Sequence, residues 1–249
     1  MAMQTKFVIE PDSAALAFAA ANVFAEMAAR CIADHGTFAV AVSGGSTPKS
    51  MFHLLAMPSL AMRVDWSKIE LFFVDERCVP PTHVESNFKM ASDSLLMHVP
   101  IKPGNIHRMR GEIDPNEAAI EYGRMLKARF GDGGVDQLWL GMGDDGHTAS
   151  LFPHTPAVKE THHRCVAQHV EKSTTGDSWR ITMTAPFINR SKEVIVLVAG
   201  AGKAERVNEV INGPRDPERL PIQLIQPASA RMTWMLDAAA ARLVKPVSS

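Results

Sequence analysis

Within seven residues, Gly141 to His147, the chain places three glycines, two aspartates and a histidine. Imidazole is the side chain best suited to take a proton near neutral pH, and a neighbouring carboxylate can orient it and stabilise the charge it gains. Glycine permits a tight backbone path that other residues resist. The segment continues as Thr148-Ala149-Ser150-Leu151-Phe152-Pro153. His147 is therefore a candidate general base, with Asp145 as its orienting acid. The same pair could ligate a metal, but no third ligand stands at a recognisable spacing. A pair that only ties down the loop would use the same two residues.

Three other segments carry chemistry. Ser43-Gly44-Gly45-Ser46-Thr47-Pro48 offers small residues, backbone N–H groups and hydroxyls ahead of an expected helix start. That suits a phosphate held by N–H donors and the positive end of the helix dipole, although a simple cap with a glycine turn reads similarly. The spacing fits neither G-x-G-x-x-G nor the P-loop. Asp75 and Arg77 are two apart, so on an extended backbone they share a side, as a surface ion pair or as site residues. Gly200-Ala201-Gly202-Lys203 fails as a P-loop because Leu197 replaces the first glycine and Ala204 the Ser or Thr. Lys203 can still act as a point charge for phosphate. Arg180 opens an otherwise apolar strand and either faces an anion or is solvated.

The elements that position these residues alternate. Lys6–Ile9, Thr37–Val42, Ile69–Val74, Val135–Leu140, Arg164–Val170, Arg180–Ala185, Val194–Ala199 and Met232–Leu236 read as strands. From a cap at Asp12 or Ser13, Leu16, Ala20, Val23, Met27 and Cys31 recur at helical spacing. Asp114-Pro115-Asn116-Glu117 reads as a second helix start with a capping box, that helix ending at Gly131 and Gly133. Gly202–Ile211 is a third helix, a further one is expected after the His147 loop, and Ser173–Ser178 reads as a surface loop. The pattern predicts an α/β fold: a doubly wound, mostly parallel sheet with helices on both faces, in a single domain spanning residues 1–249. Each chemically rich loop follows a strand, and in such sheets ligands bind outside the carboxyl ends. The loops should converge.

Composition narrows the partners. A net charge of -1 and a pI near 6.8 argue against nucleic acid or an anionic membrane as the main partner. The three cysteines, Cys31, Cys78 and Cys165, are scattered with no CxxC pair, which points to neither a disulfide framework nor a thiolate zinc site. Met1 to Glu10 lacks the charged start and apolar core of a signal peptide, and no window reads as long and apolar enough to span a bilayer. A cytoplasmic location is expected.

In order along the chain, Ser43–Pro48, Val74-Asp75-Glu76-Arg77-Cys78-Val79-Pro80 with Ser86-Asn87-Phe88, Gly141–Pro153, Arg180-Ile181-Thr182-Met183-Thr184 and Gly202-Lys203-Ala204 resemble the blocks of the 6-phosphogluconolactonase family, within the glucosamine-6-phosphate isomerase/deaminase-like superfamily. The resemblance implies hydrolysis of a phosphosugar lactone in the oxidative pentose phosphate pathway, with no metal or organic cofactor, in a monomer or small homo-oligomer. Ser43, Gly44, Gly45, Ser46, Thr47, Arg180 and Lys203 would hold the phosphate, while His147 acts as base and Asp145 orients it. Arg77 would meet the oxyanion and Asp75 a sugar hydroxyl. His154 stands where many relatives have glycine, which puts the turn there in question. A deaminase of glucosamine 6-phosphate would resemble the first loop too. It would carry a Glu shortly after the His, where this chain reads Ser150-Leu151-Phe152-Pro153. A non-catalytic phosphosugar-binding regulator would need neither His147 nor Asp145.

Overall fold

The computed structural model describes residues 5–173, 176–227 and 231–244. Among these residues ten strands form two sheets: β1 (Thr5–Glu10), β2 (Phe38–Val42), β3 (Ile69–Phe73), β4 (Asp75–Arg77), β5 (Ile106–His107), β6 (Gln137–Leu140), β7 (Cys165–Ser173), β8 (Gly176–Met183), β9 (Glu193–Val198) and β10 (Arg231–Asp237). The seven-stranded sheet has the order β1-β10-β9-β6-β2-β3-β5, and every pair in it is parallel. The expected mostly parallel, helix-covered sheet is what forms. The helices are α1 (Ser13–His35), α2 (Ser46–Leu55), α3 (Pro58–Ala61), α4 (Asn87–Ala91), α5 (Pro115–Phe130), α6 (Ala185–Ile188), α7 (Ala204–Asn212) and α8 (Ala238–Ala241).

The central strands are buried on both faces, which is why their sequences run apolar without alternation. Phe38, Val40 and Val42 of β2 pack with Leu16, Phe24 and Phe52 of α1 and α2 in one core. Ala39 and Ala41 point the other way, into a core shared with Tyr122 and Leu126 of α5 and Val207 of α7. The period of two along β2 thus divides the molecule into two layers.

Several expectations need correction. Ser173–Ser178 is not a surface loop: β7 and β8 pair up to Ser173 and Gly176, and only Thr174 and Thr175 lie outside the described residues. With β4 these strands make a separate antiparallel sheet, ordered β4-β8-β7. The helix expected after the His147 loop is only a 3-10 turn at Pro156–Lys159. By length and composition α1, with 23 residues, is apolar enough to cross a membrane, contrary to the sequence reading. Here it lays Leu16, Ala17, Ala20, Ala21, Phe24, Ala25, Met27, Ala28 and Cys31 into the core.

The helix starts follow their caps. Asp12 accepts from the N–H groups of Ala14 and Ala15 at 2.9 and 2.8 Å, and Asp114 from those of Asn116 and Glu117 at 3.0 Å each. On α5 the buried Tyr122 hydroxyl locks the sheet edge, accepting from Phe73 N–H at 2.9 Å and lying 3.1 Å from the Phe73 and His107 carbonyls. Removing it leaves the Phe73 N–H buried without its acceptor. Tyr122→Phe is expected to lower stability by about 1–3 kcal/mol in urea unfolding, and an unchanged midpoint would contradict this role.

Candidate functional site

The loops after β2, β3, β6 and β9 carry Ser43, Asp75, Gly141 and Gly200, and those four strands are contiguous at the middle of the sheet. From β2 the chain moves to β3 on one side, and from β6 to β9 on the other. Neighbouring loops diverge at such a switch point and leave a crevice. A cavity of about 280 Å³ opens there, lined by Ser43, Gly44, Gly45, Ser46, Thr47, Asp75, Arg77, Asn87, His147 and Lys203 among others. An adjoining cavity of about 1150 Å³ shares Asp75, Arg77 and His147 and adds Asp145, Gln168, His169, Trp179 and Arg180.

One end of the smaller cavity is built for an anion. Ser43 is fixed by its hydroxyl, which donates to the Trp139 carbonyl at 2.9 Å. Gly45, at φ 115°, turns the chain into α2, whose first turn has no side-chain cap. Leading N–H groups and the dipole of a ten-residue helix therefore face the cavity uncapped. Lys203, on the 3-10 turn after β9, adds an ammonium 2.5 Å from Asp144. Asp144 is exposed, so this is a rim contact that a ligand anion can compete for.

The same cavity holds the imidazole. His147 Nδ1 lies 2.6 Å from Asp145 Oδ1, which also accepts the His147 backbone N–H at 3.0 Å. Burial works to raise the Asp145 carboxyl, but the hydrogen bonds and charge of His147 outweigh it and hold it below the ordinary value. An ionised Asp145 fixes the proton on Nδ1 and leaves Nε2 as the basic nitrogen. The ring rests on Phe152, centroids 4.2 Å apart. Gly143 makes this possible: a Cβ there would stand 2.1 Å from His147 Nδ1 and 2.7 Å from Asp145 Oδ1. Further along, His154 takes φ 60°, glycine's own region, and its N–H donates to the Glu218 carbonyl at 3.0 Å.

β4 sends Asp75 and Arg77 to the cavity and Glu76 inward. Glu76 accepts from the N–H groups of Arg77, Asn87 and Phe88 at 2.8, 2.7 and 2.8 Å, and from the Ser86 hydroxyl at 2.9 Å. Burial nonetheless lifts its carboxyl above the ordinary value. The Ser150 hydroxyl donates to Asp75 Oδ2 at 2.7 Å. Sequence reasoning did not single out Asn87, Glu76 or Ser150 as site residues. They stood inside the recognised blocks, but nothing in their spacing signals that their partners lie on other elements.

Arg180 comes to the site from β8 of the smaller sheet. It is buried opposite Arg77 across β4 and β8, and it lines the larger cavity rather than the one bearing Lys203 and the Ser43–Thr47 turn. The two cavities adjoin, sharing Asp75, Arg77 and His147. Burial and the Arg77 charge push the Arg180 guanidinium below its ordinary value, with Asp75 pulling back. For metals, among the described residues, the one group of three or more ligand atoms within 4.8 Å of one another is Cys31, His35 and Asp136. Asp136 there is already held by Lys192 at 2.7 Å and the Ala39 N–H at 2.8 Å. None of these three lines either cavity.

Known proteins resemble this chain over most of its length. The family described as glucosamine-6-phosphate isomerases/6-phosphogluconolactonase matches residues 11–234. A protein of Synechocystis named 6-phosphogluconolactonase is 38% identical over 223 residues, covering 87% of this chain and 89% of its own. A rice protein named probable 6-phosphogluconolactonase 3, chloroplastic, is 35% identical over 244 residues, covering 93% and 74%. The crystal structure titled devB protein superposes with a TM-score of 0.87 at 31% identity, covering 97% of this chain and 100% of that one.

The Gly143 contact is directly testable. A bond of 2.6 Å between Nδ1 and a carboxylate should give a far-downfield imidazole proton in NMR spectra. The signal is expected to vanish in Gly143→Ala and Asp145→Ala, and its persistence in both would disprove the pairing.

Proposed function

The chain belongs to the glucosamine-6-phosphate isomerase/6-phosphogluconolactonase family, and we propose that it is a 6-phosphogluconolactonase. It hydrolyses 6-phospho-D-glucono-1,5-lactone to 6-phospho-D-gluconate in the oxidative pentose phosphate pathway. The observation that carries this reading is one cavity lined both by His147, paired to Asp145, and by the uncapped α2 start with Lys203. A phosphosugar lactone needs both ends at once: an anion cradle for its phosphate and a base beside its carbonyl.

In the proposed reaction His147 Nε2 takes a proton from water as the oxygen attacks the lactone carbonyl carbon. The carbonyl electrons move to oxygen, and Arg77 faces that developing charge. Collapse of the tetrahedral intermediate breaks the bond from carbon to ring oxygen. The imidazolium returns its proton to that oxygen, giving a hydroxyl and a carboxylic acid, which then ionises. Asp145 stabilises the imidazolium between the two steps. Asp75 accepts from a sugar hydroxyl. The phosphate, about -1.5 to -2 at neutral pH, sits with Ser43–Thr47 and Lys203, away from both carboxylates. Arg180 contributes field from the adjoining cavity instead of direct contact.

The deaminase reading fits less well. Its chemistry calls for a Glu shortly after the histidine, where this chain reads Ser150-Leu151-Phe152-Pro153, with no carboxylate. Three free cysteines suit a reducing compartment, and we place the enzyme in the cytoplasm.

Acid release from freshly prepared lactone, corrected for spontaneous hydrolysis, tests the activity. Acceleration with no ammonia released from glucosamine 6-phosphate is expected, and the reverse pattern would assign the deaminase. His147→Ala should lower kcat about 10²–10⁴-fold with KM nearly unchanged. Lys203→Ala should raise KM about 10-fold or more, the effect of losing one charged hydrogen bond, and a loss confined to kcat would move the phosphate elsewhere.

A further inference from the structure

Asp75 and Arg77 are opposite charges on the same side of one short strand, yet among the described residues they form no ion pair with each other. The side chain between them is Asn87, at the first position of α4 and buried to 2% exposure. Its Oδ1 accepts from Arg77 Nη1 at 2.6 Å. Its Nδ2 donates to the Asp75 carbonyl at 2.9 Å and to Asp75 Oδ1 at 3.2 Å. A carboxamide accepts from a guanidinium through its oxygen while its nitrogen, a separate atom, donates to a carboxylate.

We propose that Asn87 is a positioning residue that holds Arg77 and Asp75 apart, so that both charges face the substrate cavity instead of neutralising each other. The inference rests on the lactonase reading for its kinetic consequence, though not for its geometry.

The surroundings fix the amide in place. The Asn87 N–H is bound by Glu76 at 2.7 Å, and Ser86 caps α4 by accepting from the Lys89 N–H at 3.1 Å. On the far side Gly44 closes the space, since a Cβ there would stand 1.8 Å from Asn87 Oδ1. Arg77 Nη1 has a second anchor, the Glu85 carbonyl at 2.7 Å. The other Asp75 oxygen takes the Ser150 hydroxyl. The hydrogen-bond partners named here for each charge are thus neutral, with the Arg180 guanidinium close enough to feel both. In a part-buried site a direct guanidinium–carboxylate contact would be the strong competitor, bidentate by preference. Collapsed onto Asp75, Arg77 would meet an oxyanion with its charge already compensated.

Two variants and a cycle test this. Asn87→Ala removes the spacer. Asn87→Asp keeps the shape but cannot donate to Asp75, and it offers Arg77 a new ionic partner. Both are expected to lower kcat/KM about 10–100-fold, a loss in the range of one or two charged hydrogen bonds. Adding Asn87→Ala to Asp75→Asn, where no carboxylate waits for Arg77, should cost no more than about 3-fold, which leaves a coupling of roughly 3–30-fold, as expected of contacting groups. Equal losses in both backgrounds, or wild-type kinetics in Asn87→Asp, would overturn the proposal. A crystal structure of Asn87→Ala decides the geometry whatever the activity. The Arg77 guanidinium is expected within 4 Å of the Asp75 carboxylate, the ordinary ion-pair limit, and Arg77 remaining on the Glu85 carbonyl, clear of Asp75, would refute it. A wild-type protein inactive on lactone would reject the functional reading and leave that structural test standing.

Discussion

The site depends on one close approach, the Nδ1 of His147 against Asp145 across the bare face of Gly143. At 2.6 Å, with a hypothetical Cβ on residue 143 falling 2.1 Å from the ring, the pairing tolerates no side chain there. Everything useful about the imidazole follows from that contact. It selects the tautomer and, in the proposed reaction, leaves Nε2 to meet water and offers a negative charge to the cation formed. Gly146, at φ 85°, closes the turn, and its carbonyl accepts from the Ile222 N–H at 3.0 Å. The loop is therefore held by distant chain as well as by its own bonds.

Around this pair the fold separates charges along the cavity. The parallel sheet supplies four adjacent strand ends, and each loop brings a different group: N–H dipoles, an acid and a base on β4, the imidazole, and an ammonium. Opposite charges close together would ordinarily cancel. Here neutral dipoles intervene, Asn87 and Ser150 around Asp75, and the Glu85 carbonyl beside Arg77. Buried Glu76 ties β4 to the start of α4 and so keeps those dipoles in position.

Much of this was legible in the sequence, and the rest was hidden for physical reasons. Runs such as Val194–Ala199 betray strands buried on both faces, and glycine clusters after them mark loops at strand ends. The antiparallel β4-β8-β7 sheet was harder. β4 has three residues, too few to show a period, and the polar Ser173–Ser178 stretch looks like a loop whether or not it pairs. For α1 the alanine-rich composition blurred the difference between a core helix and a membrane-length one. For Arg180 the sequence left an anion-facing and a solvated cation both open, and which cavity it lines depends on the β4–β8 register, which spacing does not reveal. Asn87 escaped because its importance lies in standing between two residues ten or more positions earlier.

The most direct test of the account is a crystal structure with the product, 6-phosphogluconate, bound. The phosphate should lie on the first turn of α2 beside Lys203, with the C1 carboxylate within hydrogen-bond reach, about 3.2 Å or less, of His147 Nε2. A phosphate seated in the Arg180 cavity, or a carboxylate turned away from His147, would contradict it.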